Sequence, residues 1–203
     1  MTLEKHPDFE KLYRRIKACA YLAHPWRGYI YRNTSPKYAD NKMMLSGRGS
    51  LMYGGRWNAP GTFPAMYGSL SSITAVEEAL AQAHYYGLGE HTIFPRIFVA
   101  VHVSLNEVLN LTAGSVRKHL IVSRKRMVST DWRKEQDKGR EAVTQAIGSA
   151  AFEAGYEGLL VPSAATRNGA NLVVFRENLG KNSTLRSIDP DEMPQWVDMQ
   201  YYK

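Results

Sequence analysis

The sequence is poor in cysteine and contains only Cys19 among its 203 residues. A single cysteine cannot form a disulfide within the chain, and its apolar, helical surroundings favour a small buried side chain over a nucleophile. No apolar run approaches the length of a membrane-spanning helix, and the charged start of the chain lacks the apolar segment of a secretory signal. We therefore expect a protein of the reducing cytoplasm that makes no contact with a membrane.

The sequence also lacks the common signatures of metal, nucleotide and hydrolase sites. Its six histidines and one cysteine show no zinc-type spacing. Neither a P-loop nor a GxGxxG segment is present, and no GxSxG segment marks a nucleophilic serine. We therefore expect no metal and no prosthetic group, and we disfavour the usual nucleotide-binding folds and a Ser-His-Asp hydrolase.

The formal net charge of +7 admits three kinds of partner, namely nucleic acid, an acidic protein or an anionic small molecule. The basic residues are dispersed, apart from clusters at 124–126 and 133–134. Neither cluster alternates with aromatic residues that stack on bases. This pattern favours solvated surface clusters, and a basic nucleic-acid-binding protein stays open as an alternative function.

The length fits one domain, and hydrophobic periodicity predicts a mixture of helices and strands. Helices are predicted at 8–23, from about 72 to 86 and at 141–154, and strands at 29–32, 65–67, 96–103, 159–161 and 172–175. The strand at 96–103 is apolar enough to be covered on both faces. The segment 33–53 has the character of a long polar connection, which is usually functional or mobile. The predicted class is α+β.

Residues 53–80 hold the most distinctive pattern of the chain. Gly54 and Gly55 permit positive φ, so the backbone can turn sharply and approach a ligand closely. Arg56 follows directly, and a planar guanidinium can bind a phosphate through two parallel hydrogen bonds. We therefore interpret this turn as a candidate anion-binding element.

A helix is predicted after this turn, with Ser71 or Ser72 as its N-cap. Its expected buried stripe consists of Ile73, Val76 and Leu80. Glu77 and Glu78 lie in its first turns, about 100° apart around the helix axis. Periodicity alone does not choose between them as a functional carboxylate.

These motifs together resemble the RES domain, a family that is named for Arg, Glu and Ser positions and supplies toxins of bacterial toxin–antitoxin systems. The resemblance covers residues 26 to 176. It is carried, in chain order, by Arg32 in GYIYR, GGRWNAPG at 54–61, Tyr67, Glu78 in TAVEEAL, Ser163 in VPSA and NLVVF at 171–175. Six motifs in the same order make chance an unconvincing explanation.

The resemblance implies a single α+β domain similar to ADP-ribosyltransferases, with a mixed or antiparallel sheet and flanking helices around an NAD cleft. It implies a toxin that cleaves the nicotinamide–ribose bond of NAD+, as a glycohydrolase or a phosphorylase, and so arrests growth. NAD+ is then a substrate rather than a bound cofactor. The implied partner is an Xre-like antitoxin that occludes the cleft, and a homodimer within that complex is a further option. A mono-ADP-ribosyltransferase that modifies a protein is the nearest alternative activity.

The candidate site residues are Arg32, Arg56, Tyr67, Glu78, Ser163 and Asn171. Cleavage of NAD+ develops positive charge on the ribose, which an ionised Glu78 would stabilise. Tyr67 is expected to stack on the nicotinamide ring. Arg56 and Arg32 are expected to grip the phosphates or orient the ribose. Ser163 is expected to position the nicotinamide ribose or amide by hydrogen bonding, with Asn171 as a supporting binding residue. Family spacing from Tyr67 selects Glu78 over Glu77, and the resemblance makes Glu78, Arg56 and Tyr67 the catalytic set.

Three regions are expected along the chain. Residues 1–25 form an N-terminal helical extension, residues 26–176 form the RES domain, and residues 177–203 form a C-terminal tail packed on it. Trp196, Tyr201 and Tyr202 are expected to cover the edge of the core from this tail.

Overall fold

The computed structural model describes residues 2–36, 41–89, 91 and 94–188. The helices are α1 Phe9–Ala18, α2 Asn41–Ser46, α3 Arg48–Tyr53, α4 Ser72–Tyr85, α5 Gly114–Leu120, α6 Arg124–Ser129, α7 Trp132–Asp137 and α8 Val143–Glu153. The strands are β1 Ala23–Thr34, β2 Ala65–Ser69, β3 Ile97–Asn110, β4 Gly158–Pro162, β5 Ala170–Phe175 and β6 Thr184–Ile188.

The strands form one mixed sheet in the order β1-β2-β5-β4-β3-β6, and β1 also pairs with β3. The pairing of β3 with β4 is parallel, and the other pairings are antiparallel. Because β1 pairs with both β2 and β3, the first five strands form a closed ring of pairings. β6 pairs with β3 at 100–104, ahead of the stretch at 108–110 that pairs with β4. The ring is weakest between β1 and β2, where Tyr31 opposite Ser69 is the registered pair.

Alternating side chains of β5 show how the sequence divides between the two faces of the sheet. Val173 and Phe175 belong to a large core that also contains buried residues of α1 and α8. Leu172 and Val174 join a second core on the opposite face, with Ile30 of β1 and Met66 of β2. This alternation is the period of two that a strand imposes on its side chains.

β1 begins at Ala23 and is longer than the predicted strand at 29–32. Ala23 to Gly28 pair with β3 from Leu109 to Val103, with a shift of register between His24 and Trp26. Pro25 lies at this irregular position, where a missing N–H is tolerated. The exposed side chains of this part of β1 gave no hydrophobic pattern to read.

β3 also extends beyond the predicted 96–103 and runs from Ile97 to Asn110. Ile97 and Phe98 are exposed, so cover on both faces was the wrong expectation for the start of the strand. They lie ahead of the pairing with β6, which begins at Ala100.

The segment 33–53 was wrongly predicted as an irregular connection, because it contains α2 and α3. Gly47 separates the two helices with a φ of 68°, a left-handed conformation that suits glycine. Each helix has only six residues. A segment of that length is too short for helical periodicity to show.

The buried stripe of α4 also differs from the prediction, because Ile73 is 61 % exposed. The buried residues of α4 are Thr74, Ala75, Ala79 and Ala83. These small side chains let the helix lie close to β1 and β2, and Asn33 donates a hydrogen bond of 2.8 Å to the carbonyl of Ala75. Ser71 is the N-cap and accepts a hydrogen bond from the Thr74 N–H, so one of the two predicted caps is confirmed.

The two ends of the chain join the sheet and the main core. α1 packs against α8, and a short 3₁₀ turn at Ala20–Leu22 leads from α1 into β1. β6, in the predicted tail, pairs with β3. The expectation for Trp196, Tyr201 and Tyr202 lies outside the described residues.

Candidate active site

The glycine pair at the start of the site turns the chain and leaves room for a tyrosine. Gly54 has a φ of 74°, as the sequence predicted for this turn. At Gly55 the reason for glycine is close packing, because a Cβ atom there would lie 2.5 Å from the Tyr67 hydroxyl oxygen. The turn is closed by a hydrogen bond of 2.8 Å from the Gly55 N–H to the Asn58 carbonyl. The pair therefore brings the turn directly against β2.

The hydroxyl of Tyr67 is fully engaged beneath this turn. It accepts a hydrogen bond of 2.9 Å from the Trp57 N–H and donates one of 2.7 Å to Asn58 Oδ1. Burial raises the pKa of Tyr67 well above its ordinary value, so the hydroxyl keeps its proton at neutral pH. Tyr67 thus offers its ring, rather than its hydroxyl, to the cleft.

Arg56 holds the α6–α7 segment against the turn. Its Nη1 atom donates hydrogen bonds of 2.9 Å to the Met127 carbonyl and 2.7 Å to the Thr130 carbonyl. Burial lowers the pKa of Arg56, and the nearby Glu78 carboxylate acts in the opposite direction. Arg56 also lines the cleft.

Glu78 is the carboxylate that faces the cleft, whereas Glu77 is exposed. Its Oε1 atom accepts hydrogen bonds of 2.7 Å from Ser163 Oγ and 2.7 Å from Asn171 Nδ2. The Ser163 hydroxyl in turn accepts from the N–H groups of Ala165 and Thr166. Ser163 and Asn171 therefore fix one carboxylate oxygen and leave Oε2 for a ligand.

This arrangement differs from the expectation that Ser163 positions the nicotinamide ribose or amide and that Asn171 supports binding. The single proton of the Ser163 hydroxyl is directed at Glu78, and Asn171 Oδ1 accepts a hydrogen bond of 2.8 Å from Ser69 Oγ. Both side chains donate hydrogen bonds to Glu78 and so hold its carboxylate in place. Direct contact of either one with a substrate stays a prediction.

Arg32 lies at the seam between β1 and β2. Its Nη1 atom donates to the Tyr67 carbonyl across this seam. Its Nε atom is buried and has no hydrogen-bond partner within the described ranges. Burial lowers the pKa of Arg32 to about 10, which still leaves the side chain charged at neutral pH.

The cleft has two lobes. The larger lobe, of about 590 Å³, contains Arg56, Tyr53, Tyr85, Tyr86 and Trp132 in its walls. The smaller lobe, of about 260 Å³, contains Arg32, Arg96, Ser69 and Asn171. Tyr67, Glu78, Gln82 and Arg133 line both lobes and so mark their junction. All six predicted site residues lie in or directly beside this cleft.

Comparison with known proteins supports the resemblance seen in the motifs. The sequence model of the RES domain matches residues 14–196. The chain belongs to the RES-domain family. The resemblance drawn from the motifs is therefore confirmed for most of the chain.

Two kinds of relative extend this assignment of the RES domain. The NAD(+) phosphorylase MbcT of Mycobacterium tuberculosis and of Mycobacterium bovis is 28 % identical over 186 residues, which cover 89 % of this chain and 90 % of the relative. The crystal structure of the M. tuberculosis MbcT–MbcA toxin–antitoxin complex is similar with a TM-score of 0.70 and 27 % identity, covering 89 % of this chain and 90 % of that chain. The expected fold, a single α+β domain of the ADP-ribosyltransferase-like kind, is confirmed.

Two arginines of this RES domain were missed by sequence reasoning. Arg133 was interpreted as part of a solvated cluster, but it lines both lobes of the cleft. Its guanidinium carbon lies 4.4 Å from the ring centre of Trp132 and 4.6 Å from that of Tyr85. Arg96 lies just before β3 and is held by the Asn33 side chain. Trp132 beside Arg133 was a local signal, whereas nothing in the sequence around Arg96 indicated a site.

Two features are absent from the described ranges, namely a metal-binding group of side chains and a membrane-spanning helix. No group of three or more His, Cys, Asp or Glu residues there is placed to hold a metal ion. No helix in the same ranges is long and apolar enough to cross a membrane.

Proposed function

We propose that this RES domain cleaves the bond between nicotinamide and ribose in NAD+, with phosphate or water as the acceptor. The observation that carries the proposal is the geometry of Glu78. Two neutral donors hold its Oε1 atom at 2.7 Å, and the carboxylate lies where the two lobes meet. Similarity to an NAD(+) phosphorylase supports the choice of substrate.

The chemistry follows from where charge develops. As the bond to nicotinamide breaks, its electron pair neutralises the pyridinium nitrogen and positive charge develops on the ribose. A fixed carboxylate such as Glu78 stabilises that charge without having to reorganise during the reaction. The ring of Tyr67 offers an electron-rich face to the cationic nicotinamide. Arg56 and Arg32 supply donors for the phosphates or the ribose of the dinucleotide.

The first test is incubation of the purified protein with NAD+, with and without phosphate, read by chromatography. Release of nicotinamide is the expected result. Free ADP-ribose as the second product identifies water as the acceptor, and a phosphorylated ADP-ribose identifies phosphate. Labelled protein from labelled NAD+ would instead identify a mono-ADP-ribosyltransferase. A folded protein that releases no nicotinamide under any of these conditions contradicts the proposal.

We further propose that the protein is a cytoplasmic toxin and that a cognate antitoxin covers the cleft. MbcT was crystallised with its antitoxin MbcA. Tyr53 and Tyr86 are 71 % and 59 % exposed at the wall of the larger lobe, which makes this rim suitable for a protein partner. Expression of the chain alone should lower cellular NAD+ and stop growth, and co-expression of the antitoxin should restore both. Unchanged NAD+ in arrested cells would contradict this account.

A further inference from the structure

The smaller lobe is strongly positive. Its walls contain Arg32 from β1, Arg96 from the start of β3 and Arg133 from α7, against one carboxylate, that of Glu78. Within the described ranges, none of these arginines forms an ion pair with an acidic side chain. Burial lowers the pKa of Arg32 and of Arg96, which indicates that their charges are held partly out of water. An anion in this lobe would offset that loss of hydration.

Two of the arginines that line the lobe also carry a donor without a partner. The Nε atoms of Arg32 and Arg133 are buried and have no hydrogen-bond partner in the described part of the chain. The guanidinium carbon of Arg133 lies over the rings of Trp132 and Tyr85, at 4.4 and 4.6 Å from their centres. Such contacts engage the positive charge of the guanidinium and do not occupy its N–H groups, which lie in its plane. Planar, fixed donors of this kind are suited to a tetrahedral oxyanion.

We propose that the smaller lobe binds inorganic phosphate as the acceptor of the reaction, and that Arg96 and Arg133 determine this specificity. The proposal rests on the cleavage of NAD+ proposed above and names the acceptor. A phosphate oxygen forms a bond to the ribose carbon while the bond from that carbon to nicotinamide breaks. The released electron pair stays on the nicotinamide nitrogen, which leaves uncharged, and the phosphate becomes a ribose phosphate ester.

The pyrophosphate of NAD+ is the other source of the same ligand chemistry. Volume and wall composition favour free phosphate, because the smaller lobe has about 260 Å³ and the larger about 590 Å³. The larger lobe also contains Tyr53, Tyr85, Tyr86 and Trp132, which suit the rings of a dinucleotide. Glu78 and Tyr67 then line the junction, where the acceptor in the smaller lobe would meet the ribose carbon of the dinucleotide.

Steady-state kinetics with phosphate and NAD+ varied independently can separate the two sources. Arg96 lines the smaller lobe only, and Arg56 lines the larger lobe only. Loss of a charged hydrogen bond predicts that Arg96→Gln raises the KM for phosphate about ten-fold and leaves the KM for NAD+ within about two-fold. Arg56→Gln should show the reverse pattern, and Arg133→Gln should raise both constants because Arg133 lines both lobes.

Arg27→Gln is the matched control, since Arg27 is an exposed arginine of β1 that lies outside both lobes. It removes the same charge and should leave both KM values unchanged. Circular dichroism and thermal melting of each variant report whether it is folded. A second measurement, titration of inorganic phosphate without NAD+ by ³¹P NMR, should show binding that Arg96→Gln and Arg133→Gln weaken.

Each outcome decides one of the two proposals. If Arg96→Gln raises the KM for NAD+ and not that for phosphate, the lobe holds the pyrophosphate and the inference is overturned. If NAD+ is cleaved at the same rate without phosphate, and phosphate does not bind, the acceptor site is wrong while the proposed function stands. If phosphate binds through Arg96 and Arg133 but NAD+ is not cleaved, the anion site stands and the proposed function fails.

Discussion

At the scale of single residues, the proposed reaction depends most on Glu78. Gln at this position keeps an oxygen that accepts from Ser163 and Asn171 but removes the negative charge. We expect Glu78→Gln to lower kcat for nicotinamide release by about 100-fold or more, with little change in melting temperature. Glu77→Gln, on the exposed side of α4, is the control and should retain activity. If the control loses activity instead, the assigned carboxylate is wrong.

A second residue-scale prediction separates the ring of Tyr67 from its hydroxyl. In Tyr67→Phe the Trp57 N–H loses its acceptor and the buried Asn58 Oδ1 loses its donor. We expect a loss of about 1–3 kcal/mol in the free energy of unfolding, while cleavage of NAD+ continues because the ring remains. Urea denaturation and kcat test this together. Tyr21→Phe is the control, since Tyr21 is 68 % exposed and should lose little stability. An inactive but fully stable Tyr67→Phe would point to a chemical role for the hydroxyl.

Much of the lining of the candidate site could be predicted at this scale, because the motifs follow one another in the order of the family. Arg32, Tyr67 and Glu78 lie in the cleft, and family spacing chose Glu78 where periodicity left Glu77 open. The sequence could not show that Ser163 donates a hydrogen bond to Glu78, because a serine hydroxyl can donate equally well to a ligand or to a neighbouring side chain. It could not find Arg96 either, since strand pairing and the contact with Asn33 bring it to the site from a distant part of the chain.

At the scale of elements, the glycine pair positions β2 relative to the turn that carries Arg56. A Cβ atom in Gly55→Ala would lie 2.5 Å from the Tyr67 hydroxyl oxygen and 2.9 Å from Asn58 Oδ1, so Tyr67 would have to move. We expect lower melting temperature and lower activity together, measured by thermal melting and nicotinamide release. Gly114→Ala is the control, because its nearest contact would be 3.7 Å away on a flexible arginine side chain. Equal behaviour of the two variants would contradict the close-approach argument.

Other elements were harder to predict because their stabilising contacts are not local. α4 buries small residues such as Ala75 and Ala79, so the larger Ile73 and Val76 misled a search for an apolar stripe. The first half of β1 is held by pairing with β3 and carries exposed side chains. Hydrophobic patterns report burial, and they fail where a helix lies close to a sheet or a strand has an exposed face.

At the scale of the whole molecule, the net charge of +7 can be related to the cleft. Arg32, Arg96 and Arg133 place positive charge in a confined lobe, which favours an anionic small molecule among the three partner classes that the charge admits. One arginine of the basic cluster at 124–126 is used within the fold, because the Arg124 side chain donates a hydrogen bond to the carbonyl of Arg167.

A gel-shift assay tests this choice of partner class. We expect no retention of RNA or DNA at physiological salt, because charges within a cleft do not track a nucleic-acid backbone. Tight binding that weakens steeply as salt rises would instead support the nucleic-acid alternative.

The ring of strand pairings has its thinnest point between β1 and β2, where Tyr31 opposite Ser69 is the registered pair. The smaller lobe opens at this point, lined by Tyr31 to Asn33 on one strand and Tyr67 to Ser69 on the other. Amide hydrogens here should exchange with solvent faster than those of the paired stretches of β3 and β5. A phosphate bound to Arg32 on β1 would restrain this seam, so exchange here should slow on addition of phosphate and report occupancy of the lobe even when no NAD+ is present.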